Sequence, residues 1–336
     1  MFLPLLAVMP LALAAPRVLV YTRTLGFRHD SIPTAIETLR ARGPGAGVAF
    51  EFTEDATLFA DATLARFDAL MFVSTSEEVL DGAQQRALER YLRAGGVYAG
   101  VHSASACLYN NSVYLKAVGA YFDYHPDLQP AVRRRESTLT QTFVRLDNTH
   151  PATAHLPDRW TFTEEVYYYR QDPRAVGARV LLTVDAGSYV NNAGSRGNYT
   201  FGTPHPIAWY IETPEYGDMG ARAGRSFYTS LGHTNETWQD ETFIAHVLGG
   251  LTWALEGATT RAYGSGLVGN NETSVRASSS PNGSGAGSAA VASGTSGGSA
   301  ATPSAPAPSQ SSSGARTMAA AGAAVGAAAA GLLTSL

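Results

Sequence analysis

Eight histidines are present. Five of them, His29, His102, His125, His150 and His233, fall in loop-like stretches beside turn residues. Neutral imidazoles exchange protons near neutral pH, and together with a carboxylate they ligate divalent metals. The pair Glu164-Glu165 supplies carboxylates from an irregular segment. One stretch places such chemistry in a fold. Val97 to Val101 is a short apolar run after Gly95-Gly96, and the polar His102-Ser103 follows at once. That pattern predicts a buried strand ending in a tight turn. In open parallel sheets ligands bind beyond the C-terminal strand ends, which is where His102 and Ser103 would stand. No tight pair such as HxH or HxxxH occurs, so spacing alone leaves acid–base chemistry and metal ligation both open. A capped turn holding a hydrogen-bonded histidine is the structural alternative. His150-Pro151 reads equally as a strand terminator, His155 and His205 as loop residues, and His246 as part of a helix.

The elements that must position these residues begin with Arg17 to Tyr21, an apolar strand followed by the loop Thr22 to Asp30. Ser31-Ile32-Pro33 opens a helix, with Ser31 as N-cap and Ala35, Ile36 and Leu39 as its apolar stripe. Val48 to Phe52 and Ala69 to Val73 are further strands, the latter continuously apolar as buried parallel strands are. Asp81 to Ala94 reads as an amphipathic helix with Leu88, Tyr91 and Leu92 inward, and Ser112 to Ala120 as a helix after the Val97 strand. Strands alternating with helices predict an α/β three-layer sandwich with a mostly parallel sheet. The ends of the first and Val97 strands are expected to flank a topological switch point, bringing His29 to His102. The second half is less regular. Ala131 to Leu146 reads as extended, Thr161 to Arg170 as loop or short strand, and Val180 to Val184, Ile207 to Ile211 and Ser226 to Leu231 as strands. Glu241 to Leu255 closes the domain as a helix. His233, just after the Ser226 strand, would join the same edge.

Composition bounds the rest. The chain has 336 residues, 45% of them hydrophobic, ample for a sizeable core. A net charge of −4 argues against nucleic acid as a partner. Residues 1–15 are apolar, too short and Pro-broken for a membrane span, and Ala12-Leu13-Ala14 fits a signal-peptidase site. The expected domain runs over 16–263. Residues 264–317 are rich in Ser, Gly, Ala and Pro and read as a disordered stalk. Residues 318–336 form a weakly hydrophobic tail behind the small-residue stretch Ser309 to Gly314, the pattern of a lipid (GPI) attachment signal. Secretion and surface anchoring are therefore expected. Sequons at Asn110, Asn198, Asn235, Asn271 and Asn282 suit that route. The single Cys107 leaves the core without an intramolecular disulfide.

A set of motifs in order carries a resemblance. Gly26-Phe27-Arg28-His29-Asp30, Gly100-Val101-His102-Ser103, Tyr121 to Pro126 and His150-Pro151-Ala152-Thr153 are followed by Glu164-Glu165-Val166-Tyr167. Then come Pro206 to Trp209, Leu231-Gly232-His233 and Trp253-Ala254. Together these resemble the ThuA-like (trehalose utilisation) domain of the class I glutamine-amidotransferase-like superfamily, over Arg17 to Glu256. The resemblance implies a flavodoxin-like sheet and a link to sugar metabolism, possible substrates including oxidised (keto) disaccharides. It brings His233 and Glu165 toward His29 and His102 as catalytic candidates. Phe27, Ser103, His125, Tyr167 and Trp209 become substrate-binding candidates, since aromatic rings stack on sugars. Amidotransferases of the superfamily carry a catalytic cysteine at the strand-to-helix elbow. Here His102 holds that position and Cys107 lies five residues later, so glutamine hydrolysis is not expected. Two readings stay open: a carbohydrate-active hydrolase or isomerase with histidine and carboxylate groups, and a non-catalytic glycan-binding or wall-associated module. No cofactor is required by the sequence, and a divalent metal is compatible with it.

Overall fold

The computed structural model describes residues 15–128, 132–134, 137–195, 197–216 and 224–256. The leader, stalk and tail segments, Asn271 and Asn282 lie outside the described residues. Among the described residues no helix is long and apolar enough to cross a membrane.

The first half alternates strand and helix: β1 (Arg17–Tyr21), α1 (Ile32–Arg42), β2 (Ala49–Thr53), α2 (Asp61–Leu64), β3 (Ala69–Val73), α3 (Gly82–Arg93), β4 (Val97–Val101) and α4 (Ser112–Val118). The second half is mainly strands: β5 (Phe122–Tyr124), β6 (Val132–Arg134), β7 (Ser137–Leu139), β8 (Gln141–Arg145), β9 (Arg159–Phe162), β10 (Tyr168–Tyr169), β11 (Arg179–Val184), β12 (Ala208–Ile211) and β13 (Ser226–Thr229). Helices α5 (Asn235–Gln239) and α6 (Glu241–Glu256) follow. The main sheet runs β2-β1-β3-β4-β13-β12-β11-β8-β9. Its first five strands are mutually parallel, and the other four extend it antiparallel.

Alternation along the strands builds two cores. Leu19, Tyr21, Leu70, Phe72 and Tyr98 face the cluster made by α3 and α4, with Leu88, Tyr91 and Tyr114. Val18, Val20, Met71, Val97 and Val101 face α1, α5 and α6, with Leu39, Trp238 and Val247. The result is the three-layer α/β sandwich that the alternating pattern predicts.

Two local expectations need correction. Ser31 does not cap α1: its backbone is already helical, and its hydroxyl donates to the Gly232 carbonyl oxygen 3.4 Å away. By contrast Asp81 caps α3 through a capping box with Gln84. The second concerns the sheet edge. β1 and β4 are not neighbours, because β3 lies between them. His29 reaches His102 because the β1–α1 loop walks across the end of β3. Leu25 N–H donates to the Ser76 carbonyl (3.0 Å), Gly26 N–H donates to Ser76 Oγ (3.2 Å), and Ser76 Oγ donates to the Phe27 carbonyl (2.9 Å).

Candidate functional site

The C-terminal edge of the parallel strands gathers five segments. His102 follows β4, and its main chain stands at φ +57°, in the left-handed region that a residue with a Cβ occupies at a cost. Ser74, Glu77 and Leu108 share that conformation nearby, with φ of 51°, 66° and 51°. Strained non-glycine residues are thus concentrated where β3 and β4 end. His233 follows β13, which pairs in parallel with β4 through Thr229 and Val101, so the two histidines leave the sheet side by side. The other wall comes from the antiparallel pair β5 and β10, in register through Tyr168 with Tyr124 and Tyr169 with Phe122. That pairing sets His125, just after β5, against Glu165 and Tyr167, just before β10.

His102 is fully buried. Its Nδ1 lies 2.7 Å from the Ser230 carbonyl oxygen. A carbonyl only accepts, so Nδ1 carries the proton and the lone pair is on Nε2. Around that one nitrogen stand His29 Nε2 at 2.9 Å, Tyr167 Oη at 2.9 Å, His233 Nδ1 at 3.3 Å and Glu165 Oε2 at 3.5 Å. Glu165 Oε2 is also 3.2 Å from His233 Nδ1, and its Oε1 is 3.3 Å from His125 Nε2. Tyr228 Oη donates to the His102 carbonyl (2.8 Å), which fixes the elbow from behind.

Electrostatics divides these groups. Burial, with the neighbouring His29 and His233 imidazoles, holds His102 well below the usual histidine value. Burial and His233 push His29 down to about 4. His233 goes the other way: burial alone would lower it, but the hydrogen bond and charge of Glu165, with the charge of Glu164, raise it. Burial and the nearby carboxylates hold the Tyr167 phenol well above its normal range, so it remains a proton donor. Neutral His102 and His29 therefore adjoin a His233 that holds its proton more firmly, an arrangement that separates base from acid.

These residues line a cavity of about 390 Å³ with His29, Ser103, His125, Glu165, Tyr167 and His233 on its walls. This lies at the small end of the roughly 300–1,000 Å³ typical of ligand pockets. His102 lies beneath it, in contact with four of those side chains, His29, Glu165, Tyr167 and His233. Phe27 stands at the rim, 68% exposed, edge-on to His29 at 4.7 Å between ring centroids. Ser103 Oγ and His29 Nδ1 are buried without a protein hydrogen-bond partner.

Trp209 is placed elsewhere. It is buried in the core against Tyr169 and Tyr228, and its Nε1 donates to the Val118 carbonyl (2.9 Å). Gly119, at φ +93°, leaves room for the indole: a Cβ there would come within 2.2 Å of it. The remaining histidines have structural settings. His150 stacks on Tyr210, His246 bonds the Ala152 carbonyl, and His205 supports Tyr167 by donating to its carbonyl (2.7 Å). Cys107 is wholly buried behind the elbow, bonded to Thr75, Tyr114 and Ala104, and burial pushes its thiol up to about 12. A thiolate is not available there at neutral pH. Of the sequons, Asn110 and Asn198 are exposed. Asn235 is half-buried at the start of α5, its amide oxygen accepting from the Thr34 hydroxyl.

Of the carboxylate pair read from the sequence, Glu165 is the catalytic candidate and Glu164 has no assigned role; Glu77 has no reading there at all. Glu164 is fully buried and takes only donors. Oε1 accepts from Glu165 N (2.9 Å), and Oε2 accepts from Gly232 N (2.9 Å) and Thr237 Oγ1 (2.9 Å). His233 N is shared between the two oxygens. It holds the turn that presents His233, while burial raises it to about 7 against these bonds. Glu77, with Ser76, lines the cavity after β3. The signal there was the one used for His102, since the polar run Ser74 to Glu78 follows an apolar strand at once.

The family model for ThuA, described as trehalose utilisation, matches residues 17–254. The chain belongs to the ThuA family. Solved structures agree on the fold. A ThuA-like protein of Bacteroides uniformis is 18% identical with a TM-score of 0.55, covering 73% of this chain and 94% of its own. One of Parabacteroides merdae is 17% identical with a TM-score of 0.50, covering 71% and 90%. No curated protein matches significantly. In this ThuA-family chain the strained position at the end of β4 is held by a histidine, His102.

Proposed function

We propose that this ThuA-family chain is an enzyme acting on a sugar or keto-sugar derivative held in the cavity at the His102 elbow. The observation that carries the reading is a neutral, tautomer-fixed His102 in contact with both His29 and the His233–Glu165 pair. Proton removal from a sugar hydroxyl or from a carbon beside a keto group needs such a base, and the leaving or isomerising oxygen needs the paired acid. Tyr167 donates to an oxygen of the bound ring, and Phe27 offers a stacking face at the rim. Secretion and lipid anchoring to the cell surface complete the proposal. They are supported by the leader-like 1–15, the tail 318–336 and the exposure of Asn110 and Asn198.

The test is a panel of disaccharides and their keto derivatives, screened by thermal shift and followed by product analysis by NMR. Turnover is expected with at least one keto-sugar, and Glu165→Gln should reduce it by about 10²-fold or more while retaining the shift. Thermal shifts without product from any sugar would overturn the enzyme and leave a glycan-binding module. Phosphatidylinositol-specific phospholipase C on intact cells should release the protein; retention on cells that release a known lipid-anchored control would overturn the anchor.

A further inference from the structure

His29 Nε2, His102 Nε2, His233 Nδ1 and Glu165 Oε2 lie within 4.8 Å of one another. Hydrogen bonding alone does not account for this grouping. The Ser230 carbonyl takes the Nδ1 proton of His102, so Nε2 offers a single lone pair. Yet His29 Nε2, Tyr167 Oη and His233 Nδ1 all approach it within 3.3 Å. One lone pair cannot accept from three donors at full strength. A cation at the centre of the group uses the lone pairs of all three imidazoles and the carboxylate together.

The spacing matches that use. Zinc–nitrogen and zinc–oxygen bonds of about 2.0–2.1 Å in a tetrahedron separate neighbouring ligand atoms by about 3.3 Å. Of the six separations, four are 2.9 Å (His102–His29), 3.3 Å (His102–His233), 3.2 Å (His233–Glu165) and 3.5 Å (His102–Glu165), and the other two, from His29 to His233 and to Glu165, fall within 4.8 Å. The supporting contacts are also those of a metal centre. His102 donates its other nitrogen to a backbone carbonyl, and the His233 turn is held by Glu164 through two backbone amides. The ligand types, imidazole with one carboxylate, suit a zinc-like divalent transition ion over calcium or magnesium.

We infer that His29, His102, His233 and Glu165 form a binding site for one zinc-class divalent ion on the floor of the cavity. His102 ligates from beneath. His29, His233 and Glu165 line the cavity, so a fifth position opens toward the bound molecule. An ion there polarises a substrate carbonyl or hydroxyl oxygen, or lowers the pKa of a bound water. Tyr167 stands beside that position. His125, facing the other oxygen of Glu165, orients the carboxylate without ligating. With an ion bound, the Nε2 lone pair of His102 is occupied, and ion-bound hydroxide takes over as the base of the proposed function; the site rests on the geometry of this cluster whether or not a sugar is the substrate.

The experiment uses the purified full chain, stripped with chelator, reloaded with Zn²⁺ or Co²⁺, and passed through gel filtration before elemental analysis. One equivalent of Zn²⁺ per chain is expected, and the Co²⁺ form should show the visible bands of a four- or five-coordinate nitrogen–oxygen site. His233→Ala and Glu165→Gln should each weaken uptake beyond the 10–100-fold typical of losing a supporting partner. His125→Ala should keep full stoichiometry. Near-UV circular dichroism shows that each variant is folded; His102→Ala is added as a further ligand variant if it passes that check. Folded wild type that retains neither ion, or His233→Ala and Glu165→Gln that both retain a full equivalent, overturns the site. An ion retained without conversion of any sugar keeps the site and removes the proposed activity. Undiminished conversion by stripped, ion-free chain overturns the catalytic part given to the ion and keeps the activity.

Discussion

Glu164→Gln isolates the organisation of the site from its chemistry, because Glu164 is wholly buried and does not line the cavity. Both of its oxygens accept, and none of its partners accepts in return. In the better orientation the amide oxygen takes the place of Oε2 and keeps Gly232 N, His233 N and Thr237 Oγ1. The NH₂ then faces Glu165 N across 2.9 Å, donor against donor. One orphaned buried amide costs about 1–3 kcal/mol. The three surviving bonds lose their charge assistance, at up to about 1 kcal/mol each. Because the neutral amide also escapes the desolvation that raises the carboxylate to about 7, that relief offsets the lost charge assistance, and the expected loss is about 2 kcal/mol, set by the orphaned amide. For a domain of this size that corresponds to a melting temperature lower by roughly 6 °C. Urea unfolding followed by far-UV circular dichroism at pH 8 measures it, above the value near 7 to which burial raises Glu164. A loss below about 1 kcal/mol would mean that the carboxylate does not hold the His233 turn, and the reasoning fails.

Three further outcomes are expected. His246 is buried and held at about 4, whereas the unfolded chain protonates near 6.5. The unfolded state therefore binds the proton first as pH falls. The stability from neutral His246 is complete above pH 6.5 and lost on the way to 4, on the order of 3 kcal/mol; denaturation curves of wild type and His246→Gln should diverge over that window. Gly249→Ala, which helix propensity alone would favour by about 1 kcal/mol, should instead destabilise by about 2 kcal/mol, because a Cβ there comes within 2.4 Å of the Pro151 backbone; an unchanged urea midpoint would refute this. Cys107 should resist Ellman's reagent in the native chain and react fully in urea, its thiol being buried and pushed up to about 12; rapid native labelling would contradict the burial argument.

Much of this protein is legible in local patterns. β3 and β4 are five-residue apolar runs bounded by polar or glycine residues, β1 is a four-residue run behind Arg17, and each forms where the pattern puts it. A strand buried on both faces needs such a run whatever surrounds it. His29, His102 and His233 were readable for the same reason: each is a polar residue soon after a buried strand. The second half was harder. β5, β6, β7 and β10 have two or three residues each, too few for a periodicity to declare itself.

The tertiary structure alone decided the rest. Strand order depends on which apolar faces pack together, and it put β3 between β1 and β4, leaving a loop to carry His29 across. Trp209 and Tyr167 are both aromatics in the shared motifs, yet one fills the core and the other faces the cavity, because the space beside Gly119 accepts the indole. The tautomer of His102 comes from a carbonyl 128 positions away, and the pose of His233 from Glu164, 69 positions away. Spacing along the chain carries no record of such contacts, so the residue types were visible in sequence while their convergence on one nitrogen atom was not.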